Sequence, residues 1–336
     1  MTGELGRAAG RRLLVVHAHP DDETIGTGGT LARYAAEGVA VTLVTCTRGE
    51  RGEIIPADLA HLDPDGLGEH RQRELARALG RLGVIDHLFL DSVRSDDLPE
   101  ARYRDSGMSW RPDGTAGPDP TPGPHAFALA DPLPAARRLA SVIRDRRPHV
   151  LITYDPLGGY RHPDHVQAHR VAMLAVDLAA DGVADRTADC AAGEEPGGSG
   201  AVGVPWPVPR VCWIALPASR ARPGEENRPV VVPDGDIDVR IDVGPWLAAK
   251  TRALRAHATQ LVLGPDGPGP DGPDPDGREF AFADGAPHPV RDVEYYRFAP
   301  VPPERSLSGS NPLGRPVRPL TDLFEGLELS AFDTRG

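Results

Sequence analysis

The chain has 336 residues, 40% of them hydrophobic and 26% charged, values typical of a globular protein with one or two domains. Its formal net charge of -12 argues against nucleic acids and anionic membranes as partners, because both select basic surfaces. No apolar run reaches the roughly 18 residues of a membrane span, and residues 1–12 lack the apolar core of a secretory signal. We therefore expect a cytoplasmic protein, with Cys46, Cys190 and Cys212 as reduced thiols.

Strands and helices are predicted to alternate along the first half of the chain. Leu13–Val16 is a short continuous apolar run, typical of a strand that is buried on both faces. The predicted elements are strand 13–16, a helix from about 23 to 37, strand 39–45, helix 69–82, strand 87–90, helix 135–146, strand 150–154 and helix 166–180. This order indicates an α/β fold, a Rossmann-like parallel sheet with helices on both faces.

The pattern changes after Gly182. Three strands, at 211–216, 230–232 and 237–243, and a helix at 246–259 with Trp246, Leu254 and Ala258 facing inward follow a Gly/Pro-rich segment. We interpret this part as a smaller C-terminal β-rich lobe that closes over the strand ends. The predicted organisation is a catalytic α/β domain at 1–185, a linker at 186–209, the C-terminal lobe at 210–300 and a tail at 301–336, which is docked or partly disordered and has one apolar patch at 320–329.

Two similar motifs each stand between a predicted strand and a predicted helix. The first is His-Pro-Asp-Asp at 19–22, and the second is His-Pro-Asp-His at 162–165. Parallel strands end at the same edge of a sheet, where ligands bind in open α/β folds, so the two loops should meet. Helix capping would explain one aspartate of the first motif, but neither the other aspartate nor His19.

Three histidines and three aspartates would then form one cluster. Histidine nitrogen and carboxylate oxygen are the usual donors of a catalytic zinc, which takes three protein ligands and keeps one position open. The predicted ligands are His19, Asp22 and His165. Asp21 and His162 remain as the base and the acid that amide hydrolysis requires. Asp164 is a candidate for holding the tautomer or the charge of His162.

The sequence AHPDDE at 18–23, with HPDH downstream, resembles the LmbE-like or PIG-L type family of zinc-dependent N-deacetylases of amino-sugar conjugates. Further matches are TLVTCTRGERGEIIP at 42–56, HRQREL at 70–75, RYRDSGM at 102–108, TYDPLGGYRHPDH at 153–165 and ALRAHATQ at 253–260. Together they are similar to the mycothiol-pathway branch of this family, which includes a GlcNAc-inositol deacetylase and a mycothiol S-conjugate amidase. The resemblance covers residues 12–180 and 246–263.

This resemblance implies the same ligands, base and acid, and it adds three roles that spacing does not give. Tyr160 would assist at the oxyanion as a mobile residue, and Arg71 and Asp105 would contact polar groups of the substrate. The implied cofactor is one Zn²⁺ per chain, with Fe²⁺ as the alternative. The oligomeric state is left open.

The implied reaction is the deacetylation of GlcNAc-inositol, a small molecule, to GlcN-inositol and acetate. Cleavage of mycothiol S-conjugates or of another amino sugar is the alternative, and a catalytically inactive sugar-binding protein is the alternative outside the hydrolases. The segments 24–28 and 91–101 differ from the usual pattern of the branch, and both differences concern the substrate.

Other motifs have simpler interpretations. Gly26–Gly29 does not follow its strand directly, as a dinucleotide-binding fingerprint would, because His-Pro-Asp-Asp occupies that turn. His169 is placed beside the site or at the surface. The acidic segment 266–276 has the prolines of a solvated loop and lacks the terminal Glu of a calcium loop. For Arg51 and Glu53 the sequence allows two roles, part of a lid or a contact with substrate.

Overall fold

A mixed sheet of eight strands runs through the centre of the structure, a computed structural model that describes residues 10–94, 98–181, 204–223, 225, 228, 230–263, 278–300 and 318–329. The strands are β1 Arg12–His17, β2 Ala40–Thr45, β3 Asp86–Phe89, β4 Met108–Trp110, β5 Ala116–Pro118, β6 Val150–Thr153, β7 Arg210–Pro217, β8 Val231–Val232, β9 Val239–Asp242, β10 Val262–Leu263, β11 Glu279–Ala281, β12 Pro287–Pro289 and β13 Val293–Phe298. The helices are α1 Asp22–Ala36, α2 Pro64–Leu82, α3 Pro132–Arg146, α4 Pro163–Ala180 and α5 Leu247–Leu254.

The strand order in the large sheet is β3-β2-β1-β6-β7-β13-β9, and β8 pairs with the end of β7. The strands β3, β2, β1 and β6 are parallel, as predicted. Strand β7, which was predicted in the C-terminal lobe, continues this parallel sheet beside β6, whereas β13 runs antiparallel to both β7 and β9. Two small antiparallel sheets, β4-β5 and β10-β11-β12, complete the strands. The predicted α/β class is confirmed. The division into domains stays a prediction, and the large sheet is continuous across it.

Alternate residues of β1 enter two different cores, which explains its uninterrupted apolar sequence. Leu14 and Val16 pack with α3 and α4 on one face of the sheet, while Leu13 and Val15 pack with α1, α2 and α5 on the other. Both faces of the sheet are therefore covered by helices. Within the described residues, no helix is both long and apolar enough to cross a membrane.

Helices α3 and α4 each begin three residues before their predicted starts, and α2 and α5 differ from their predicted bounds for identifiable reasons. Helix α2 begins at Pro64 because the Asp63 side chain accepts a hydrogen bond from the backbone N–H of Gly66, 2.7 Å away. Helix α5 ends at Leu254, so the prediction that it continues to residue 259 with Ala258 facing inward is wrong. Ala258 is exposed.

A buried ion pair joins α5, β13 and the middle of α1. The Glu294 carboxylate accepts hydrogen bonds from the backbone N–H groups of Gly29 and Thr30 at 2.9 and 2.8 Å. Its Oε1 lies 2.7 Å from Nζ of Lys250, which is 2% exposed and is the only lysine of the chain. The pair connects three elements that are distant in sequence.

Part of the predicted tail is docked on the sheet. Leu323 and Phe324 are buried in the core beneath α1, and Leu320 forms a bridge with Val239. Cys46 and Cys212 are buried free thiols, as predicted. Cys190, most of the predicted linker, the acidic segment 266–276, residues 95–97 and residues 301–317 and 330–336 lie outside the described part of the chain.

Candidate active site

The two His-Pro-Asp loops meet at one edge of the sheet, as their sequence positions predict. Strands β1 and β6 are parallel neighbours, with Val15 opposite Ile152, so the loops that follow them leave the sheet side by side. The His19 ring lies 4.7 Å from the His162 ring and 5.3 Å from the His165 ring. Residues more than 140 positions apart thereby form one cluster.

The cluster offers more donors than one metal ion requires. Ring nitrogens of His19, His162 and His165 lie within 4.8 Å of one another, and His19 forms a second such group with Asp105 and Asp164. Asp22 Oδ2 lies 3.2 Å from His19 Nδ1 and 3.3 Å from His165 Nε2.

The environment of His165 Nε2 indicates whether these residues are suited to bind a metal ion. His165 Nε2 is buried, and among the described residues it makes no well-aligned hydrogen bond, although Asp22 Oδ2 lies 3.3 Å away. Buried polar atoms in proteins are nearly always partnered, and a ring nitrogen that faces other donors is suited to a cation. Imidazole and carboxylate donors together fit a divalent transition metal. The site is therefore able to bind such an ion, and the choice of His19, Asp22 and His165 stays a prediction.

Tyr154 contacts two of the predicted ligands at once. Its hydroxyl donates to Asp22 Oδ2 at 2.8 Å and accepts from the backbone N–H of Ala18 at 2.9 Å. It also lies 3.1 Å from Nδ1 of His17, and its ring stacks on His165 at a centroid distance of 4.2 Å. The motifs do not identify Tyr154 or His17 as site residues. The sequence offers one signal for them, a polar aromatic side chain at the end of an apolar strand. His17 is the last residue of β1, and Tyr154 follows β6 directly.

The electrostatics of Asp22 follow from its neighbours. Burial alone would raise the pKa of its carboxyl group, but His165 and His19 outweigh burial and hold that pKa well below its ordinary value. Burial raises the pKa of Tyr154 well above its ordinary value, and the Asp22 charge raises it further. The Tyr154 hydroxyl is therefore a neutral donor to an ionised carboxylate.

Asp21 has a backbone conformation that normally belongs to glycine. Its φ is 107°, and its carbonyl, rather than its carboxylate, holds the start of α1 by accepting from Thr24 and Ile25. The pKa of the Asp21 carboxyl group is raised to about 6. Burial is the largest cause, Arg71 opposes it, and the neighbouring Asp22 charge adds to the rise. A carboxylate with a pKa in this range is suited to act as a general base.

Arg71 lies beneath this loop. It is buried, and its guanidinium donates to the carbonyl of Gly49 at 2.7 Å, to the carbonyl of Pro20 and to Asp21 Oδ2 at 3.1 Å. These contacts hold the Asp21 loop from below. The predicted contact between Arg71 and substrate stays a prediction.

The RYRDSGM segment supplies a second carboxylate next to the histidines. Asp105 Oδ1 lies 3.7 Å from His19 Nε2 and accepts from the backbone N–H of Gly107, while Oδ2 accepts from that of Arg51. Burial would raise its pKa, but His19 and His162 lower that pKa to about 2. Asp105 is thus an anion at the edge of the cluster.

The carboxylate of Asp164 bonds His19 and Ser106 rather than His162, and the predicted role of Asp164 in holding the tautomer or charge of His162 stays a prediction. This carboxylate accepts from the backbone N–H and the hydroxyl of Ser106 and lies 3.1 Å from His19 Nε2. His162 is the N-cap of α4, and its Nδ1 accepts the backbone N–H of Asp164. Asp164 therefore supports His19. Burial lowers the pKa of His162 well below its ordinary value, and His19 and His165 lower it further.

Tyr160 lies beside the histidines on a distorted turn, Gly158–Arg161, in which Gly158, Gly159 and Arg161 have positive φ. Its ring centroid is 5.1 Å from that of His165 and 5.9 Å from that of Trp110. Trp110, which is 59% exposed, was not singled out by any motif. The two stacked aromatic rings border the site.

The remaining candidates fall outside the cluster. His169 bonds the carbonyl of Tyr154 through Nδ1 and belongs to neither group of metal donors. Gly26–Gly29 lies within α1, which excludes a phosphate loop at that position. The side chain of Arg51 pairs with Asp119 at 2.6 Å. The carbonyl of Glu53 accepts from Gln260 at 2.9 Å, which fastens the loop that contains both residues.

A cavity of about 840 Å³ lies next to the segment that differs from the branch pattern. Asp91, Glu100 and Ala101 of that segment line it together with Arg48 and Tyr103. Arg48 and Asp91 pair through two contacts of 2.7 and 2.9 Å. None of the candidate metal donors lines this cavity, so the chemical centre lies elsewhere.

Comparisons with known proteins agree with the motifs. A family model described as "PIG-L: GlcNAc-PI de-N-acetylase" matches residues 14–176. A Kineococcus radiotolerans protein is 42% identical, with 96% of this chain and 84% of the relative covered. A Streptomyces avermitilis protein is 43% identical over 94% of this chain and 97% of the relative, and one from Thermobifida fusca is 41% identical over 94% and 99%. All three are named 1D-myo-inositol 2-acetamido-2-deoxy-alpha-D-glucopyranoside deacetylase, and deacetylases of this type hydrolyse amide C–N bonds.

Proposed function

This chain belongs to the PIG-L family of de-N-acetylases, and on that premise we propose that it hydrolyses the acetamide of GlcNAc-inositol to GlcN-inositol and acetate, as a step of mycothiol biosynthesis. The names of relatives that match nearly the whole chain support this substrate. The observation that carries the chemistry is the buried carboxylate of Asp21, which neighbours the predicted ligand Asp22, sits on a backbone whose conformation costs free energy and has its pKa raised to about 6.

His19, Asp22 and His165 would hold one divalent metal, Zn²⁺ in our proposal and Fe²⁺ as the alternative. When bound, such an ion polarises a carbonyl group and makes water more acidic. The buried Nε2 of His165, which lies 3.3 Å from Asp22 Oδ2, and the position of that oxygen between two imidazoles support this set. His162 is left free for proton transfer.

The protein residues would then divide the reaction between them. Asp21 accepts a proton from the attacking water as its oxygen bonds to the acetamide carbon. The Tyr160 hydroxyl donates to the carbonyl oxygen as charge develops there. His162 donates a proton to the nitrogen as the C–N bond breaks, which releases the free amine and acetate; because its pKa is lowered, it would hold that proton only after the proton taken from water has been passed to it. The two proton transfers balance the hydrolysis.

Asp105 would bind hydroxyl groups of the sugar or the inositol, and Arg71 would hold Asp21 in addition to its predicted contact with substrate. A site built for hydrogen bonds rejects analogues that lack those groups far more strongly than an apolar pocket does. GlcNAc-inositol should therefore react faster than free N-acetylglucosamine. The predicted cytoplasmic location stays a prediction.

The test compares kcat/KM of the Zn²⁺-loaded chain for GlcNAc-inositol, free N-acetylglucosamine and a mycothiol S-conjugate. We expect GlcNAc-inositol to be the best substrate and Asp105→Ala to reduce its advantage over N-acetylglucosamine. A preference for the S-conjugate would indicate the amidase reaction instead. Saturable binding of GlcNAc-inositol without release of acetate would identify a sugar-binding protein and contradict the proposal.

A further inference from the structure

The backbone of Asp21 requires a restraint from its surroundings. Its φ of 107° with ψ of -35° is a region that side chains with a Cβ rarely occupy. A residue in such a conformation persists only where neighbouring groups determine it. Glycine would adopt the same conformation without strain, so the chain keeps an aspartate here at a cost in stability.

Glu23 supplies part of that restraint. Its Oε2 accepts a hydrogen bond from the backbone N–H of Asp21 at 2.8 Å, and its Oε1 accepts one from the Thr24 hydroxyl. The Glu23 side chain is completely buried. Burying a carboxylate without a counter-charge costs free energy, so the residue that pairs with Glu23 contributes to the same restraint.

The partner of Glu23 is His257, from the C-terminal half of the chain. His257 Nε2 lies 2.8 Å from Glu23 Oε1, across 234 residues of sequence, and its side chain is also completely buried. His257 follows α5, in the ALRAHATQ segment, outside the range that the family model matches. Two hydrogen bonds from Thr259 to Glu74, at 2.9 and 2.6 Å, fasten that segment to α2.

We propose that the buried Glu23–His257 pair is a positioning unit for Asp21. The pair holds the Asp21 N–H, and so fixes the direction in which the Asp21 carboxylate leaves the loop, where its Oδ2 lies 3.1 Å from the Arg71 guanidinium. Neither residue touches substrate, and both act through Asp21. The inference rests on the proposed role of Asp21 as the base.

The test begins with single variants that keep the shape of the pair. Glu23→Gln removes the charge and weakens the acceptor for the Asp21 N–H. His257→Leu removes the donor to Glu23, and His257→Gln restores one. We expect kcat to fall by about 10-fold to 100-fold in Glu23→Gln and His257→Leu, the usual effect of losing an outer hydrogen-bond partner, and to recover partly in His257→Gln. Metal affinity, measured by competition with a chelator, should be unchanged.

Glu294→Gln is the matched control. Glu294 is also a buried carboxylate that binds backbone N–H groups of α1 and one buried cation, Lys250, but it contacts none of the candidate site residues. This variant should lower the melting temperature and leave kcat of the folded, metal-loaded enzyme unchanged. If Glu23→Gln behaves in the same way, the pair is only structural and the proposal is overturned.

A double-mutant cycle separates this inference from the proposed function. In an Asp21→Asn background, Glu23→Gln should cause no further loss of kcat, because the group that it positions is already disabled. Losses that multiply would overturn the inference alone. Full turnover by Asp21→Asn would instead overturn the role of Asp21 as the base.

A second cycle requires no turnover. Asp21 can release its backbone strain once Glu23 no longer holds it, whereas glycine at position 21 has no strain to release, so Glu23→Gln should lower the melting temperature more in an Asp21→Gly background than in the wild-type chain. Equal losses in the two backgrounds would show that Glu23 does not hold the Asp21 backbone, and would contradict the proposal.

Discussion

Replacing Tyr154 by phenylalanine removes one oxygen atom from the centre of the candidate site and leaves the ring in place. The lost hydroxyl donates to Asp22 Oδ2 at 2.8 Å and accepts from Ala18 N–H at 2.9 Å. The ring still stacks on His165, so the variant isolates the hydrogen bonds. We expect two separable effects, one on stability and one on metal binding.

The magnitude follows from the two groups that lose their partner. A buried N–H without an acceptor costs about 1–3 kcal/mol, and a hydrogen bond to a charged group contributes about 1.5–3 kcal/mol. Because both effects arise from one atom and are not additive, we expect the free energy of unfolding to fall by about 2–4 kcal/mol. Loss of an outer partner of a metal ligand typically weakens metal binding by about 10-fold to 100-fold.

Tyr34→Phe is the control for this experiment. The Tyr34 hydroxyl is also buried, accepts a backbone N–H from Leu323 at 2.7 Å and lies 3.3 Å from Asp322 Oδ1, away from the histidine cluster. Both variants are compared by thermal unfolding without metal and by competition with a chelator for Zn²⁺. A lower free energy of unfolding in both variants, with unchanged Zn²⁺ affinity in Tyr154→Phe, would refute the claim that the Tyr154 hydroxyl supports metal binding through Asp22.

Four further predictions concern the metal, the acid and base, and the fold. A chelator should abolish acetate release and Zn²⁺ should restore it, whereas full activity in a chain without transition metal by elemental analysis would contradict the mechanism. Asp22→Ala should lower metal content, and Asp21→Asn should keep the metal while kcat falls by about 10²-fold to 10⁴-fold; the reverse pattern would exchange their roles. His162→Ala should also retain the metal and lose turnover, and loss of metal would make it a ligand. Glu294→Gln should lower the free energy of unfolding in urea by about 3–5 kcal/mol, because it leaves Lys250 buried without its counter-charge, and an unchanged urea midpoint would exclude that pair as a source of stability.

The meeting of the two His-Pro-Asp loops could be predicted because it depends on local patterns. Apolar runs identify β1 and β6, and parallel neighbours place the residues after them at one edge. The direction of the Asp164 carboxylate could not be predicted. His162 caps α4 by accepting the Asp164 N–H, so the two residues meet through the backbone of Asp164. Which side chains a carboxylate reaches depends on capping geometry that no spacing rule describes.

Contacts between distant segments were the least predictable feature. The pairing of Glu23 with His257 has no periodic signature, and neither does the Tyr154 hydroxyl on Asp22. Strand β13 was not predicted, although Val293–Phe298 is rich in residues that favour strands, because the regular alternation stops before it. Helix α5 was predicted too long: it ends at Leu254, and Thr259 beyond it binds Glu74 of α2, a contact that no local pattern contains.

The single lysine gives this fold a chemical reporter of its own opening. Lys250 carries the only side-chain amine of the sequence, and that amine is shielded between α1, α5 and β13. An acylating reagent can reach it only when these elements separate, so the rate of labelling at one atom measures how often they do. Because the histidine cluster lies at the start of α1 and Glu294 binds the middle of the same helix, metal that slows this labelling would reveal whether the two sites open together.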